Sequence, residues 1–156
     1  MKYWIMKSEP DAFGIDDLAK KPRKTEHWDG IRNYQVRNMM RDEMQKGDEA
    51  LFYHSSCKEP GAVGIVRIVK GAYPDYTAFD PESKYYDPKS DPENPRWLMV
   101  DVQLVRKFKR VISLQELKSH QFLADMLILR RGNRLSVTPI SKKHWDYILK
   151  LESKAP

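Results

Sequence analysis

His54 and Cys57 stand three positions apart, and a histidine next to a cysteine can make the thiol a nucleophile. No third group that would orient the imidazole lies near them in sequence. Cys57 is also the single cysteine, so neither an internal disulfide nor a cysteine-rich zinc site can form. The four histidines, His27, His54, His120 and His144, show no metal-ligand spacing. Asp16 and Asp17 are paired carboxylates, but side by side they suit the positive first turn of a helix better than acid-base chemistry. A zinc nucleobase deaminase needs His-x-Glu and Pro-Cys-x-x-Cys, and both are missing. Neither a Walker A sequence nor a GxGxxG run is present. The residues therefore predict no catalysis, no metal and no cofactor.

Binding chemistry is better represented. Flat side chains recur beside hydrogen-bonding ones: Trp28 with Asp29 and Gly30, Asn33 with Tyr34, and Tyr53 with His54 and Ser55. Tyr85 and Trp97 add two more flat groups. Cations that could meet phosphates are Arg32, Arg37, the Lys20–Lys24 loop, the 106–110 run and the 130–134 turn. Nucleic acids want this mixture, because cations set affinity while rings stack on bases. Each feature also has a plainer reading. A tryptophan near a helix start is commonly a core anchor. RKFKR could be the solvated edge of a strand with Phe108 inward, and RRGNR could be a simple turn. Composition and spacing lead to a pocket for a planar, polar ligand and stop there.

The elements that would position these groups can be read from the pattern. Val36, Met39, Met40 and Met44 recur at helical spacing behind Asn33, a good N-cap. Gly47 stands where a helix is often closed, and Ala50 to Phe52 then form a buried strand ending in Tyr53-His54-Ser55. Strands are expected at about 2–6, 49–54, 62–71, 97–108 and 135–138, with Gly64 marking a bulge or a close backbone approach. Ser113 to Glu116 reads as a capping box stapled by Ile112 and Leu117, and Ser141 caps a last helix stapled by Ile140 and Trp145. Residues 15–20 and 123–129 read as helical. Residues 73–96 form a long loop with five prolines and five aromatics, too aromatic for a plain linker. The irregular spacing argues against a doubly wound parallel sheet. The expected fold is α+β, a small, bent, mostly antiparallel β-barrel with helices around it.

At 156 residues the chain fits one domain, 1–156, with room for a single buried core. Its net charge of +6 permits a polyanionic partner without requiring one. No apolar run nears the roughly 18 residues of a membrane span, and residues 3–6 are too short for a signal peptide. A cytoplasmic protein with no membrane partner is expected.

Several stretches together resemble the EVE domain, a member of the PUA-like superfamily. They are YWIMKSEP (3–10), WDGIRNYQVRNMMRDEM (28–44), GDEALFYHSS (47–56), GIVRIVKGAYPD (64–75), KYYDPKS (84–90), PRWLMVDV (95–102) and RLSVTPIS (134–141). The resemblance implies a PUA-like fold, akin also to YTH and ASCH domains. It further implies a non-catalytic reader of modified nucleobases, chiefly 5-methylcytosine or 5-hydroxymethylcytosine in DNA. Carried onto this chain, the base pocket would draw on Trp4, Ser8, Trp28, Asn33, Tyr34, Tyr53, His54, Ser55, Trp97, Leu135 and Ser136. Phosphates would meet Arg32, Arg37, Lys107, Lys109, Arg110, Arg130 and Arg131. Two other readings stand beside it: a small ASCH-like enzyme acting on a nucleoside, and a reader of modified RNA.

Overall fold

The computed structural model describes residues 1–154. Six strands form one sheet in the order β2-β5-β4-β3-β1-β6. They are β1 (Tyr3–Ser8), β2 (Thr25–Trp28), β3 (Glu49–His54), β4 (Gly61–Pro74), β5 (Leu98–Ser113) and β6 (Val137–Ile140). β1 and β3 pair in parallel while the other neighbours run antiparallel. The fold is α+β as expected, but the sheet does not close into a barrel by pairing among the described residues: β2 and β6 are its edges. Its curvature comes from β4 and β5, whose register slips at several points between Ala62 and Tyr73. Such irregularities bend a strand and add twist. Gly64 sits at one of them. A β-carbon there would stand 2.3 Å from Ile15 Cδ1 and 2.6 Å from the Arg106 carbonyl oxygen, so the close approach requires glycine.

The sheet separates two apolar cores. One holds Trp4, Met6, Ile15, Leu18, Trp28, Val36, Met40, Phe52, Val66 and Val100. The other holds Ile5, Leu51, Tyr53, Phe108, Ile112, Leu117, Ile140, Trp145 and Ile148. Alternation along β1 and β3 sends successive side chains to opposite sides, so Trp4 and Ile5 serve different cores. The methionine stripe packs as its spacing predicts, with Met39 half-buried beside Val36, Met40 and Met44.

Helices α1 (Pro10–Phe13), α2 (Ile15–Ala19), α3 (Tyr34–Asp42), α4 (Leu114–Lys118) and α5 (Lys142–Glu152) flank the sheet. Asn33 caps α3 by accepting from the Val36 amide at 3.0 Å. Ser113 and Ser141 cap α4 and α5 in the same way, and both stapling pairs meet in the second core. Three expectations fail locally. Helix α3 stops at Asp42, and Gly47, at φ 98°, instead turns the chain into β3. Glu116 does not complete the capping box, because its carboxylate binds Arg110 at 2.6 and 2.9 Å. In place of one helix over 123–129 there are two short 3-10 turns, Gln121–Leu123 and Leu127–Leu129.

Candidate functional site

A cleft of about 460 Å³ opens between the ends of β1 and β2, within the range of about 300–1,000 Å³ typical of ligand sites. Lys7 and Ser8, with Glu9, Ala12 and Phe13 of the following turn, make one wall. Glu26, His27 and Trp28 of β2, running on through Asp29, Gly30 and Ile31, make another. Lys84 and Tyr85 from the long loop and Ser136 ahead of β6 complete the lining.

The apolar floor is organised around Phe52, which is wholly buried. Trp28 meets it edge-on at 5.5 Å between ring centres, Phe13 lies tilted at 6.4 Å, and His54 stands edge-on at 5.6 Å. Trp28 keeps 8% of its surface exposed and lines the cleft. His54 does not line the cleft. Its Nε2 accepts from the Ile15 amide at 3.1 Å and so props the turn that builds the wall. Burial holds the imidazole below its ordinary pKa, which keeps that nitrogen free to accept. Ser8 Oγ donates to the Phe13 carbonyl at 2.6 Å and pins the same turn.

Tyr85 is fixed by a buried ionic bracket. Arg32 donates from Nη2 and Nε to the Tyr85 carbonyl at 2.6 and 3.1 Å, and from Nη1 to Asp75 Oδ2 at 3.0 Å. Asp75 is fully buried and also accepts from the Gly30 amide at 2.9 Å and the Thr77 amide at 2.9 Å. Burial alone would raise its pKa. The donors from Thr77, Gly30 and Arg32 outweigh that and hold it below the usual carboxylate value. One carboxylate thus ties the β2 turn to the long loop. Tyr85 lies against Gly30, whose φ of 78° only glycine adopts freely.

The cleft holds charges of both signs. Glu26 Oε1 lies 2.8 Å from His27 Nδ1, and Tyr76 Oη lies 3.2 Å from His27 Nε2. Asp29 Oδ2 is 3.6 Å from His27 Nε2, too far for a hydrogen bond. Burial, aided by the nearby Asp75 charge, raises the Asp29 pKa. A half-buried carboxylate with spare acceptor capacity is suited to receive an amino group. Lys7 is half-buried, and burial lowers its pKa. Among the described residues, no carboxylate forms an ion pair with Lys7 or Lys84. No group of three histidine, cysteine or acidic side chains among them could hold a metal.

Of the pocket residues expected from sequence, Ser8, Trp28 and Ser136 line the cleft. Trp4 is fully buried and donates from Nε1 to buried Asp48 at 3.0 Å, so it cannot touch a ligand. Tyr53 is 3% exposed in the second core, and burial pushes its phenol up to about 12. Ser55 lies behind the wall, its amide bound to the Ser8 carbonyl at 3.0 Å. Leu135 packs on the first core. Asn33 is spent as a helix cap. Tyr34 and Trp97 stack on each other at 4.7 Å outside the cleft.

The expected phosphate contacts also divide. Arg32 is the internal bracket. Arg37 donates to Asn38 and to the Arg96 carbonyl. Arg110 is occupied by Glu116 and by the Val111, Leu151 and Lys154 carbonyls, which take all five of its N–H donors and leave none for a phosphate. Lys107 pairs with Asp16 at 2.7 Å, though both are exposed and the pair is weak. Lys109, Arg130 and Arg131 are exposed. Asp29 was singled out in sequence only as a neighbour of Trp28, and Glu26 and His27 were not singled out as cleft residues because β2 itself was unforeseen; Lys7, at the end of β1, was not singled out either.

The EVE domain profile matches residues 2–151. Human thymocyte nuclear protein 1 is 48% identical over 171 aligned positions, covering 99% of this chain and 75% of that protein. The crystal structure of human THYN1 in complex with 5-methylcytosine-containing DNA superposes with a TM-score of 0.95 at 47% identity, covering all of both chains. A Pseudomonas putida protein superposes with a TM-score of 0.92 at 47% identity, over 96% of this chain and 99% of that one. An ASCH protein from Zymomonas mobilis, 13% identical with a TM-score of 0.57, shares the fold alone.

Proposed function

The chain belongs to the EVE domain family, and from that premise we propose that it is a DNA-binding protein that reads a modified cytosine. The base would turn out of the duplex into the cleft between β1 and β2, with the whole chain acting as one EVE unit. The observation that carries this reading is the pairing of a fixed flat ring, Tyr85 over Gly30, with the under-used carboxylate of Asp29 in one cleft. The complex of human THYN1 with 5-methylcytosine DNA supports the same ligand class for a chain this similar.

Each part of the base finds a chemical partner. The amino group on cytosine C4 is a donor, and a carboxylate is its usual acceptor. Asp29 supplies one. The ring stacks on Tyr85, an interaction worth about 1–3 kcal/mol that offsets the few kcal/mol lost when a base leaves the stack. A 5-methyl group gains from the apolar edges of Phe13 and Trp28, and the hydroxyl of 5-hydroxymethylcytosine could bond Ser8 or Ser136. Lys7 and Lys84 at the cleft supply positive charge for flanking phosphates, as do Arg130 and Arg131 on the exposed turn. The reading is of a binder rather than a catalyst, for His54 spends its accepting nitrogen on the Ile15 amide. No helix among the described residues is long and apolar enough to cross a membrane.

The test is a fluorescence titration with matched oligonucleotides, single and double stranded, containing cytosine, 5-methylcytosine or 5-hydroxymethylcytosine. Tenfold tighter binding of a modified duplex, about 1.4 kcal/mol, is the expected result. Equal, salt-sensitive binding to every oligonucleotide would leave a basic surface and no reader. Mass analysis of the recovered nucleosides should find them unaltered, and any conversion would overturn the non-catalytic reading.

A further inference from the structure

A second depression, of about 430 Å³, lies between α3 and the end of the long loop. Arg37 and Arg41 come from the helix, and Lys89 and Arg96 from the loop. Asp91 is the carboxylate in its lining. Arg41 is bound to Asp42, but both side chains are about half exposed, a setting where an ion pair contributes little and gives way to a competing anion. Lys89 forms no ion pair among the described residues. The site therefore offers more positive than negative charge, on side chains that solvent can reach.

What links it to the cleft is a ladder of cations and rings. Lys84 Nζ lies 5.0 Å from the Tyr85 ring centre. Arg32 Cζ is 5.7 Å from Tyr85 and 5.5 Å from Trp97. Trp97 stacks on Tyr34 at 4.7 Å, and Arg37 Cζ stands 4.8 Å from Tyr34. Rungs of 5.7, 5.5 and 4.7 Å put the Tyr85 and Tyr34 rings no more than about 16 Å apart. One DNA strand carries a phosphate every 3.4 Å of axis, so at most about five nucleotides cover that span.

We infer that this depression is a second DNA contact, taking a backbone phosphate of the strand whose modified base occupies the cleft. The inference rests on the reading of the cleft given above. Arg41 and Lys89 supply affinity with no sequence information, while the cleft supplies the discrimination. The ladder fixes the spacing between the two, since Arg32 is locked to Asp75 and Trp97 Nε1 donates to Asp87 at 2.7 Å.

The experiment compares the double variant Arg41→Gln/Lys89→Gln with Lys143→Gln, an exposed lysine of α5 outside both sites. Each is titrated with plain and 5-methylcytosine duplexes over a salt series. The double variant should bind both duplexes about fivefold more weakly per lost cation. Its log-affinity against log-salt slope should fall by about 0.9 per phosphate contact removed. The ratio between methylated and plain duplex should stay as in wild type, and its melting temperature should match wild type. Lys143→Gln should change affinity less than twofold. An equal effect of the two variants, or a changed ratio in the double variant, would overturn the inference. A wild-type protein with no preference for the methylated duplex would defeat the cleft reading instead. The plain-duplex comparison would then still decide whether this depression touches DNA.

Discussion

A β-carbon added to Gly30 would stand 2.5 Å from Tyr85 Cζ, closer than real side chains ever come. The backbone of the β2 turn and the ring of the long loop are therefore in face-to-face contact, and the cleft takes its shape from that contact. Gly30→Ala must displace the ring and also hold an alanine at φ 78°, which costs about 1–2 kcal/mol. The expected outcome is a lower melting temperature and loss of most of the preference for modified cytosine. Tyr85→Phe, which keeps the ring, should retain the preference. Tyr85→Ala should lose about 1–3 kcal/mol of binding. Equal binding by wild type and Tyr85→Ala would remove Tyr85 from the site.

Asp29 is the second element of the cleft, and its protonation has a definite sign. Burial, with Asp75 nearby, raises its pKa in the folded state. The folded protein then holds this proton more tightly than the unfolded chain. Stability is therefore lost as pH rises from the unfolded value through the folded one. Asp29→Asn removes that cost, so at pH 7 the variant should be more stable than wild type in urea titrations. Its binding of modified duplex should weaken, because half of the acceptor capacity becomes a donor facing the cytosine amino group. Unchanged binding together with raised stability would show that Asp29 does not read the base.

Asp75 obeys the opposite sign. Its donors hold the folded pKa down, so its contribution is present above the unfolded value and is lost as pH falls through the folded one. Asp75→Ala strands Arg32 beside Tyr85 and Trp97 and leaves the Gly30 and Thr77 amides without an acceptor. Breaking such a pair from one side costs about 3–5 kcal/mol. A chemical-denaturation midpoint close to wild type would show that the bracket does not hold the loop. At acidic pH the wild-type protein should lose its 75–97 loop order before its sheet, measurable as hydrogen exchange of the Thr77 amide.

How far these features could be read from sequence depends on how local their causes are. Asn33, Ser113 and Ser141 cap helices through bonds that span three residues, and their types alone predicted it. β4 and β5 announced themselves through β-branched and alternating side chains. β2 did not. Thr25-Glu26-His27-Trp28 has no apolar alternation and exists because it pairs with Val100–Gln103, far away in sequence. Glu26 and His27 were invisible as part of the wall for that reason, although Trp28, Asp29 and Gly30 stood out as a cluster. Glu116 shows the same limit. Its position suits a capping box, but Arg110, six residues back on β5, offers two charged donors and wins. Tyr85 could be named as a ring, yet its place in the cleft follows from Arg32, Asp75 and Gly30, distant in sequence and brought together by folding.

Trp4 and Trp28 give the sharpest separation of fold from site, because both belong to the same core. Trp4 is fully buried and its indole N–H serves Asp48, which also accepts from the Lys2 and Gln45 amides at 3.0 Å each. Trp4→Phe removes part of the indole from a fully buried site and leaves that carboxylate short of a donor, so the loss in stability should exceed the about 1–3 kcal/mol of the missing donor alone. Its binding to modified duplex should be unaltered at temperatures where it is folded. Trp28 packs on Phe52 and also borders the cleft. Trp28→Ala should therefore do two things at once: cost about 3–5 kcal/mol in stability and abolish discrimination in the fraction that remains folded. Trp28→Phe should recover most of the stability while recovering discrimination only in part, since the smaller ring exposes less edge. A Trp4→Phe protein that loses preference for 5-methylcytosine would mean that the first core transmits strain to the cleft. The two tryptophans would then have to be treated as one unit.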